Sequence, residues 1–286
     1  MDFAALLPPL ALALQARARC ADTPCGEGRL VWRLWGEGEP LLLLHGGSGS
    51  WLHWIRNIDA LVALGRTVVV PDLPGFGDSA SPPGGEDADA VVEPLRAGWC
   101  ELQSRFGWPG PVELAGFSFG GIVAAFWIDR YPQDLRRVVI TGSPGFGFSH
   151  AQRTALRGWR HLPDAAQRME VHRHNLRVLM LHDERAIDAQ ALAIQAVNTP
   201  RDRMGRRRLA ATAVLRPIFE QSQVPVCFAY GAQDVLYAAG YDPFRQWIAT
   251  LPRQEGLHLI ANAGHWAPYE QPEGWMRAAM LLCNIT

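Results

Sequence analysis

Three residues in this chain have the types and the spacing that nucleophilic catalysis requires. Ser118 lies at the centre of a Gly-x-Ser-x-Gly motif at residues 116–120, which follows the apolar run 112–115. A motif of this kind turns sharply from a strand into a helix and exposes the serine hydroxyl, because its glycines let neighbouring backbone come close. The backbone N–H of Phe119 would then face an oxygen that becomes negative during attack. Ser118 is therefore the candidate nucleophile.

A serine hydroxyl is too weak an acid to attack unaided, so Ser118 predicts a histidine base and a carboxylate that orients the histidine. Asp234 comes just after an apolar, strand-like run, in a turn that begins with glycine. His265 follows the last such run, directly after a glycine. Each residue thus ends its own strand, at the sheet edge where ligands bind. Asp242 is the fallback for the acid, and His258 is a weaker one for the base.

A glycine-rich loop at residues 45–50 follows the apolar run 41–44 and precedes a helical pattern. Glycines let backbone N–H groups approach a substrate oxygen, so this loop is a candidate for the second half of an oxyanion hole. A phosphate-binding loop is the alternative, but the Gly-Lys-Ser/Thr ending of a P-loop is missing. Asp72, in the turn-rich loop 71–79, is predicted to hold that loop by hydrogen bonds rather than to act in catalysis.

These residues need a sheet whose strands end at one edge, and the alternation of apolar runs with helical patterns predicts one. Strands are expected at 30–35, 41–44, 67–70, 112–115, 137–141, 224–230 and 257–260. The first two are expected to form a hairpin across the turn-forming residues 36–40. Helices are expected at 90–106, from the serine motif to 131, at 243–250 and at 272–283. The predicted class is α/β, with a mostly parallel, doubly wound sheet.

The alternation is interrupted from 149 to 216, where helical segments contain thirteen arginines and six acidic residues, a net charge of +7. Ligands of doubly wound sheets bind outside the carboxyl ends of the strands, so this insertion would cover the site as a helical lid. The predicted domains are a core of residues 1–148 and 217–286 and a lid (cap) of residues 149–216. A positive lid could bind an anionic substrate, although solvated helix faces account for most of these arginines.

The whole chain of 286 residues has 27 basic and 28 acidic residues, a formal net charge of −1. Without a long basic tail or an apolar run of roughly 18–20 residues, neither a nucleic acid nor a membrane is an expected partner. The first residues lack the positive charge of a signal peptide, which favours a short amphipathic helix in a cytoplasmic protein. Cys20 and Cys25 could pair only outside a reducing compartment. No metal or organic cofactor is implied, and a homodimer is left open.

The segments described above resemble the α/β-hydrolase superfamily. The similar residues are 45–47, 72–79, 116–121, 231–234 and 264–265, which together span nearly the whole chain. The resemblance implies Ser118 as nucleophile, His265 as base, Asp234 as orienting acid, and the amides of Gly47 and Phe119 as the oxyanion hole. A serine at the motif argues against haloalkane dehalogenases and epoxide hydrolases, which use aspartate there.

A narrower resemblance is to the meta-cleavage-product hydrolases, which cut a carbon–carbon bond in ring-fission products. Trp266, directly after the base, is similar to their pattern, and residues 198–201 resemble the lid segment that supplies a substrate-binding arginine. Their motif commonly has asparagine before the serine, where this chain has Phe117. The predicted substrate contacts are Gly46, Trp51, Phe117, Arg201 and Trp266.

The sequence therefore predicts a serine hydrolase that cleaves a small carboxylic ester, thioester or lactone through an acyl-enzyme. One alternative is a carbon–carbon bond hydrolase that acts on an anionic vinylogous diketone. An alternative of another class is a non-catalytic small-molecule receptor on the same scaffold. A receptor needs no intact set of serine, histidine and aspartate, so the presence of all three counts against it.

Overall fold

One mixed sheet forms the centre of the computed structural model, which describes residues 6–148 and 155–280. Within these residues the sheet has eight strands in the order β1-β2-β4-β3-β5-β6-β7-β8. The strands are β1 (Arg19–Cys25), β2 (Gly28–Trp35), β3 (Glu39–Leu44), β4 (Arg66–Pro71), β5 (Val112–Phe117), β6 (Leu135–Thr141), β7 (Val226–Gly231) and β8 (Gln254–Ile260). The pairs β1–β2 and β2–β4 are antiparallel, and all other neighbours run parallel.

The sheet separates two apolar layers, because successive side chains of a strand point to opposite faces. In β3, Leu42 and Leu44 pack in one layer, whereas Leu41 and Leu43 pack in the other. Every residue of β4 is buried, and so is every residue of β7. Covering on both faces explains why these strands are continuous apolar runs rather than alternating ones.

Helices cover both faces of the sheet. They are α1 (Pro9–Arg17), α2 (Ile58–Ala63), α3 (Ala88–Phe106), α4 (Phe119–Arg130), α5 (Ala165–Asn175), α6 (Ala189–Asn198), α7 (Arg216–Gln221), α8 (Asp242–Ile248), α9 (Ala267–Glu270) and α10 (Pro272–Met280). Helices α3, α4 and α8 contribute Trp99, Ile122 and Phe244 to one apolar layer. On the opposite face, α2 and α10 contribute Ile58 and Trp275. The predicted N-terminal helix corresponds to α1, and residues 281–283 of the predicted last helix lie outside the described residues.

The predicted hairpin between residues 30–35 and 41–44 is wrong. Strand β4 lies between β2 and β3, so these two strands do not pair with each other. The hairpin of this region is β1–β2, in which Cys25 faces Gly28 across the turn. The turn residues 36–40 do reverse the chain, but β3 is apolar on both faces and gains two parallel neighbours in the sheet interior. Strand β1 is not predicted from the sequence because its buried residues, Ala21, Thr23 and Cys25, are not large apolar residues and because it contains Pro24.

The chain between β6 and β7 contains helices α5, α6 and α7, with no strand among residues 155–225. Helix α5 contacts α6, and short 3-10 and π-helical turns connect the longer helices. Helix α7 begins at Arg216, the last residue of the predicted lid. The first residues of that predicted lid, 149–154, lie outside the described residues.

Neither a membrane span nor a disulfide is found in the part of the chain that the structure describes. None of its helices is both long enough and apolar enough to cross a bilayer. Cys20 is an exposed free thiol and Cys25 is a buried one. The burial of Cys25 raises the pKa of its thiol, which keeps the sulfur protonated.

From the burial of the central strands we predict how much a truncated core side chain lowers the free energy of unfolding. Leu42 is fully buried in β3, so Leu42→Ala leaves a cavity and should lower the free energy of unfolding by about 2–5 kcal/mol. Leu12→Ala is the matched control, because that leucine lies on α1 and is 49% exposed; its effect should stay within about 0.5 kcal/mol. Urea denaturation of the three proteins measures both values. Equal losses in the two variants would contradict the placement of β3.

Candidate functional site

The turn from β5 into α4 fixes Ser118 in an unusual backbone conformation. Its φ is 50° and its ψ is −112°. The glycines around it are required by space: a Cβ on Gly116 would lie 2.5 Å from the carbonyl oxygen of Gly120, and a Cβ on Gly120 would lie 2.4 Å from that of Leu44. Real side chains cannot enter such gaps, so this close contact of backbones explains the Gly-x-Ser-x-Gly spacing. The Ser118 side chain is left partly exposed.

The structure brings Ser118, His265 and Asp234 together at the carboxyl edge of the sheet. The His265 Nε2 atom lies 3.0 Å from Ser118 Oγ, and His265 Nδ1 lies 2.8 Å from Asp234 Oδ2. Both the imidazole and the carboxylate are buried. Since a carboxylate only accepts, Nδ1–H donates to Asp234, and Nε2 is left to accept the hydroxyl proton of Ser118. The arrangement can therefore remove a proton from the serine oxygen.

Close packing of two loops holds the histidine against the aspartate. A Cβ on Gly231, at the end of β7, would lie 2.0 Å from the carbonyl oxygen of Gly264. Asp234 also accepts a hydrogen bond of 2.9 Å from the backbone N–H of Leu236, which fixes its carboxylate. The two residues kept as fallbacks lie elsewhere: Asp242 is exposed at the start of α8, and His258 bonds to Glu255 within β8.

Glu270, which was not singled out from the sequence, supports the histidine loop. Its buried carboxylate accepts the backbone N–H of Gly264 at 2.7 Å. It also accepts the N–H groups of His182 and Asp183, at 3.1 and 2.6 Å. One side chain thus joins the loop before His265 to the segment that follows α5. No local pattern indicates this role, because a glutamate in a short helix is usually exposed.

Two buried histidines support the glycine-rich loop. His53 Nδ1 accepts the N–H of Gly46 at 3.1 Å, and the Nε2 of His45 accepts the N–H of Leu73 at 2.8 Å. The other ring nitrogen of His45 lies 2.8 Å from the carbonyl oxygen of Gly46, so it donates there. Burial holds the pKa of His53 well below its usual value, and the neighbouring His45 and His265 lower it further. Each ring accepts a backbone N–H through one nitrogen, and only a neutral imidazole has a nitrogen free to accept.

The carboxylate of Asp72 also holds the backbone that follows the glycine-rich loop, together with the loop at residues 71–79. Its carboxylate accepts the backbone N–H groups of Trp51 and Asp78, both at 2.9 Å, and it pairs with Arg33 at 3.1 Å. Burial opposes the ionisation of Asp72, but the positive charge of Arg33 and these hydrogen bonds lower its pKa overall. The predicted structural task of Asp72 is therefore confirmed.

The predicted oxyanion donors belong to two segments that meet near Ser118, the start of α4 and the glycine-rich loop. Phe119 is the first residue of α4, so no carbonyl within that helix accepts its N–H. Gly46 touches the nucleophile, since a Cβ on it would lie 3.3 Å from the Cβ of Ser118. Gly47 follows it on the same loop. The assignment of the Gly47 and Phe119 amides as oxyanion donors stays a prediction.

Comparisons with known proteins agree with this architecture. A family model described as the alpha/beta hydrolase fold matches residues 39–166. The esterase of Thermogutta terrifontis has a similar structure, with a TM-score of 0.67 and 22% identity over 94% of this chain and 99% of the esterase. An N-acyl homoserine lactonase gives 0.70 and 23% over 94% and 97%. The chain has the α/β-hydrolase fold.

The sequence also resembles relatives along most of its length. A 2-hydroxy-6-oxo-6-phenylhexa-2,4-dienoate hydrolase from Burkholderia cepacia is 26% identical over 86% of this chain and 87% of its own. The predicted fold class, the resemblance to the α/β hydrolases and the narrower resemblance to the meta-cleavage-product hydrolases are thus confirmed. The broad prediction of a hydrolase is confirmed with them.

In this α/β-hydrolase fold, three of the predicted substrate contacts are buried aromatic side chains. Trp51 packs against Trp35 with ring centres 5.4 Å apart, and Trp266 donates to the carbonyl oxygen of His53 at 2.9 Å. Phe117 lies with its ring centre 5.2 Å from that of His265. Their contact with a substrate stays a prediction.

A cleft of about 540 Å³ lies between the glycine-rich loop and the helices that follow β6. Among its lining residues are Gly47 and Ser48 from the glycine-rich loop, with Met180 and Arg207 from the chain between β6 and β7. Arg201 pairs with Asp78, and its contact with a substrate stays a prediction. Of the arginines in this segment, the structure therefore places Arg207, which was not singled out from the sequence, beside the oxyanion loop.

The buried His53 predicts a pH dependence of stability. Unfolding releases its ring to water, where it binds a proton below pH ~6.5, whereas the folded ring stays neutral to lower pH. The unfolded state thus binds more protons, and the free energy of unfolding falls as pH drops through this range.

His53→Asn keeps an acceptor for Gly46 and removes this titration. The stability lost between pH 7 and pH 5 should then shrink by about 1 kcal/mol, as measured by urea denaturation. His182→Asn, on an exposed histidine, is the control and should leave the loss unchanged. An unchanged loss in His53→Asn would show that this ring is not held neutral.

Proposed function

We propose that this protein is a serine hydrolase in which Ser118, His265 and Asp234 form a catalytic triad. The observation that supports the proposal is the continuous chain of hydrogen bonds from the Ser118 hydroxyl through the His265 ring to Asp234, with distances of 3.0 and 2.8 Å. A serine becomes a nucleophile only when such a base is within reach. The strained turn that exposes Ser118 also serves this chemistry.

In the first half of the reaction, Ser118 Oγ attacks the carbonyl carbon of the substrate and its proton passes to His265 Nε2. The Asp234 carboxylate stabilises the imidazolium that forms and keeps the ring in the correct tautomer. The carbonyl oxygen becomes negative and accepts hydrogen bonds from the amides of Phe119 and Gly47. His265 then gives its proton to the leaving group as the carbon–heteroatom bond breaks, and an acyl-enzyme on Ser118 results.

In the second half, water replaces the leaving group. His265 removes a proton from the water as its oxygen attacks the acyl carbon, and the same two amides hold the oxyanion again. Collapse of this intermediate returns the proton to Ser118 Oγ and releases a carboxylic acid. Every proton transfer in this mechanism therefore passes through the Nε2 atom of His265.

The substrate class that we propose is a small carboxylic ester, thioester or lactone. The cleft of about 540 Å³ beside Gly47 has the size of a small-molecule site. The solved structures of similar fold include an esterase and a lactonase. Phe117, directly before the nucleophile, is buried and has no polar group to offer an enol or keto oxygen. This apolar position favours the simpler carbonyl substrates.

A second candidate is carbon–carbon bond hydrolysis of an anionic vinylogous diketone. The observation that favours it is the similarity to the Burkholderia cepacia dienoate hydrolase along most of both chains. The serine, the base and the oxyanion donors would act in the same order, with a carbanion equivalent as leaving group. A substrate panel distinguishes the two reactions.

We further propose that residues 149–216 are a lid on the core formed by residues 1–148 and 217–286. The support is the shared cleft, whose lining includes Gly47 from the core together with Arg157 and Met180 from the insertion. A cytoplasmic location completes the proposal and suits the free thiols of Cys20 and Cys25.

A fluorophosphonate probe tests the nucleophile directly, because it labels serines that a base activates. The native protein should label and hydrolyse 4-nitrophenyl butyrate, whereas Ser118→Ala should not label and should lose at least ~10⁴-fold in kcat. His265→Ala should lose both properties as well. A folded native protein that binds small esters without labelling or turnover would instead be a receptor on this scaffold.

The orienting acid has its own test in a pair of matched variants. Asp234→Asn keeps the shape but favours the wrong tautomer of His265, so kcat should fall by about 10⁴-fold. Asp242→Asn makes the same chemical change at the exposed start of α8 and should leave kcat within about two-fold. Steady-state kinetics on 4-nitrophenyl butyrate measure both. A large loss in Asp242→Asn alone would assign the acid to that residue.

A further inference from the structure

The two halves of the glycine-rich loop are held by different parts of the chain. The first half is held by the core: His45 Nδ1 donates to the carbonyl oxygen of Gly46 at 2.8 Å, and His53 Nδ1 accepts the N–H of Gly46 at 3.1 Å. That carbonyl group and the N–H of Gly47 belong to one planar trans peptide, in which they point in opposite directions. The core therefore fixes one side of the peptide that carries the Gly47 N–H.

The second half of the loop is held by the chain between β6 and β7. The hydroxyl of Ser48 donates to Asp202 Oδ2, and the hydroxyl of Ser50 donates to Asn198 Oδ1 at 2.7 Å. Ser50 and Asn198 are buried, and the side chain of Asp202 is only 9% exposed, so water competes little for these hydrogen bonds. Both acceptors belong to residues 198–207, which are called the strap.

The strap is itself fixed to the core. The backbone N–H of Arg203 donates to the carbonyl oxygen of Gly75 at 2.9 Å, and the Arg203 guanidinium donates to the carbonyl oxygen of Ser79. Met204 is buried against the same part of the core, since a Cβ on Gly75 would lie 2.4 Å from the Met204 sulfur. The strap therefore joins two loops of the core, the loop at residues 71–79 and the glycine-rich loop.

Asp202 is the centre of the contact between the strap and the glycine-rich loop. Its Oδ1 accepts the backbone N–H of Met204 at 2.9 Å, and its Oδ2 accepts Nη2 of Arg207 at 2.9 Å. The other terminal nitrogen of Arg207 packs over Gly47, where an added Cβ would lie 2.9 Å from it. Ser48 has a φ of 49°, a conformation that a residue other than glycine adopts only where its surroundings hold it. Without Asp202, Ser48 would be free to relax and to turn the adjacent Gly47.

We propose that Asp202 is a positioning residue: by holding Ser48, it keeps the N–H of Gly47 directed at the substrate oxygen that becomes negative. The inference rests on the serine hydrolase mechanism proposed above, in which the amides of Gly47 and Phe119 hold that oxygen. Asp202 needs no contact with the substrate for this role. Because a misplacement of about 1 Å can cost about 10²-fold in rate, catalysis requires the strap as well as the core.

The kinetics of two esters test the position of the Gly47 N–H. 4-Nitrophenyl butyrate offers a carbonyl oxygen, and its thiono analogue offers in the same place a sulfur atom, which accepts hydrogen bonds only weakly. Ser48→Ala and Asp202→Ala should each lower kcat for the oxygen ester by about 10- to 100-fold and leave KM within about two-fold, because an oxyanion donor acts mainly in the transition state. The loss of kcat for the sulfur ester should stay below about 3-fold, since that ester gains little from the donor.

A double variant distinguishes positioning from two independent structural effects. Because Asp202 acts through Ser48, the variant that carries both alanines should lose no more kcat than Asp202→Ala alone. Ser104→Ala and Glu170→Ala make the same changes at exposed residues of α3 and α5, and they should leave kcat within about two-fold. Additive losses, equal losses for the two esters, or an unchanged kcat would overturn the positioning role while the hydrolase stands.

Hydrogen exchange followed by mass spectrometry tests the contact without turnover. If the native protein hydrolyses neither ester, the proposed hydrolase fails, and exchange decides the role of Asp202 separately. The backbone amides of residues 46–52 should exchange at least about 10-fold faster in Ser48→Ala and in Asp202→Ala than in the native protein, while those of α3 keep the native rate. Unchanged exchange at residues 46–52 would show that the strap does not hold the loop and would overturn the inference.

Discussion

The site depends on how closely three pieces of backbone approach each other at the end of β5. A Cβ on Gly120 would lie 2.4 Å from the carbonyl oxygen of Leu44 and 2.7 Å from that of His45, so α4 begins in contact with the end of β3. This contact holds Ser118 at a positive φ, a backbone conformation that costs a residue other than glycine about 1–3 kcal/mol. It also sets the glycine-rich loop, which continues from β3, beside the serine. One packing constraint thus positions both the proposed nucleophile and the loop that carries Gly47, a proposed oxyanion donor.

A second layer of polar contacts lies under this constraint. Asp72 fixes the loop that carries Asp78, and Asp78 in turn pairs with Arg33 from β2 and with Arg201 from the proposed lid. Basic and acidic side chains therefore alternate along this network, from Arg33 in the sheet through Asp78 to Arg201. Since the network is partly buried, its ion pairs together contribute more to the stability of the fold than exposed pairs do. The position of Arg207 over Gly47 follows from this anchoring of residues 201–207.

Local patterns were sufficient for much of the fold and for the arrangement of the three central site residues. Ser118, Asp234 and His265 each follow an apolar run and a glycine, and strand ends of a parallel sheet meet at one edge. Strand pairing failed because it is not local: nothing between residues 35 and 39 reveals that β4 will lie between β2 and β3.

Side-chain direction was equally hidden from the sequence. Arg201 and Arg207 lie six residues apart in one arginine-rich segment, and only their tertiary partners distinguish them. Trp51 and Trp266 are predicted to contact the substrate, and their burial in the core beneath the glycine-rich loop could not be read from the sequence. Glu270 could not be assigned at all, because its three donors come from two segments about eighty residues apart in the chain.

The shared carboxylate of Glu270 limits how freely the segment between β6 and β7 can be exchanged. Insertions after β6 are often regarded as exchangeable parts on a constant scaffold. Here the chain that leaves the π-helical turn, at His182 and Asp183, is fastened to the same acid that holds the loop of His265. A transplanted insertion would have to offer two backbone N–H groups at this point, or the loop of His265 would lose part of its support. The last residue of a four-residue helix, α9, thus limits which insertions this core can accept.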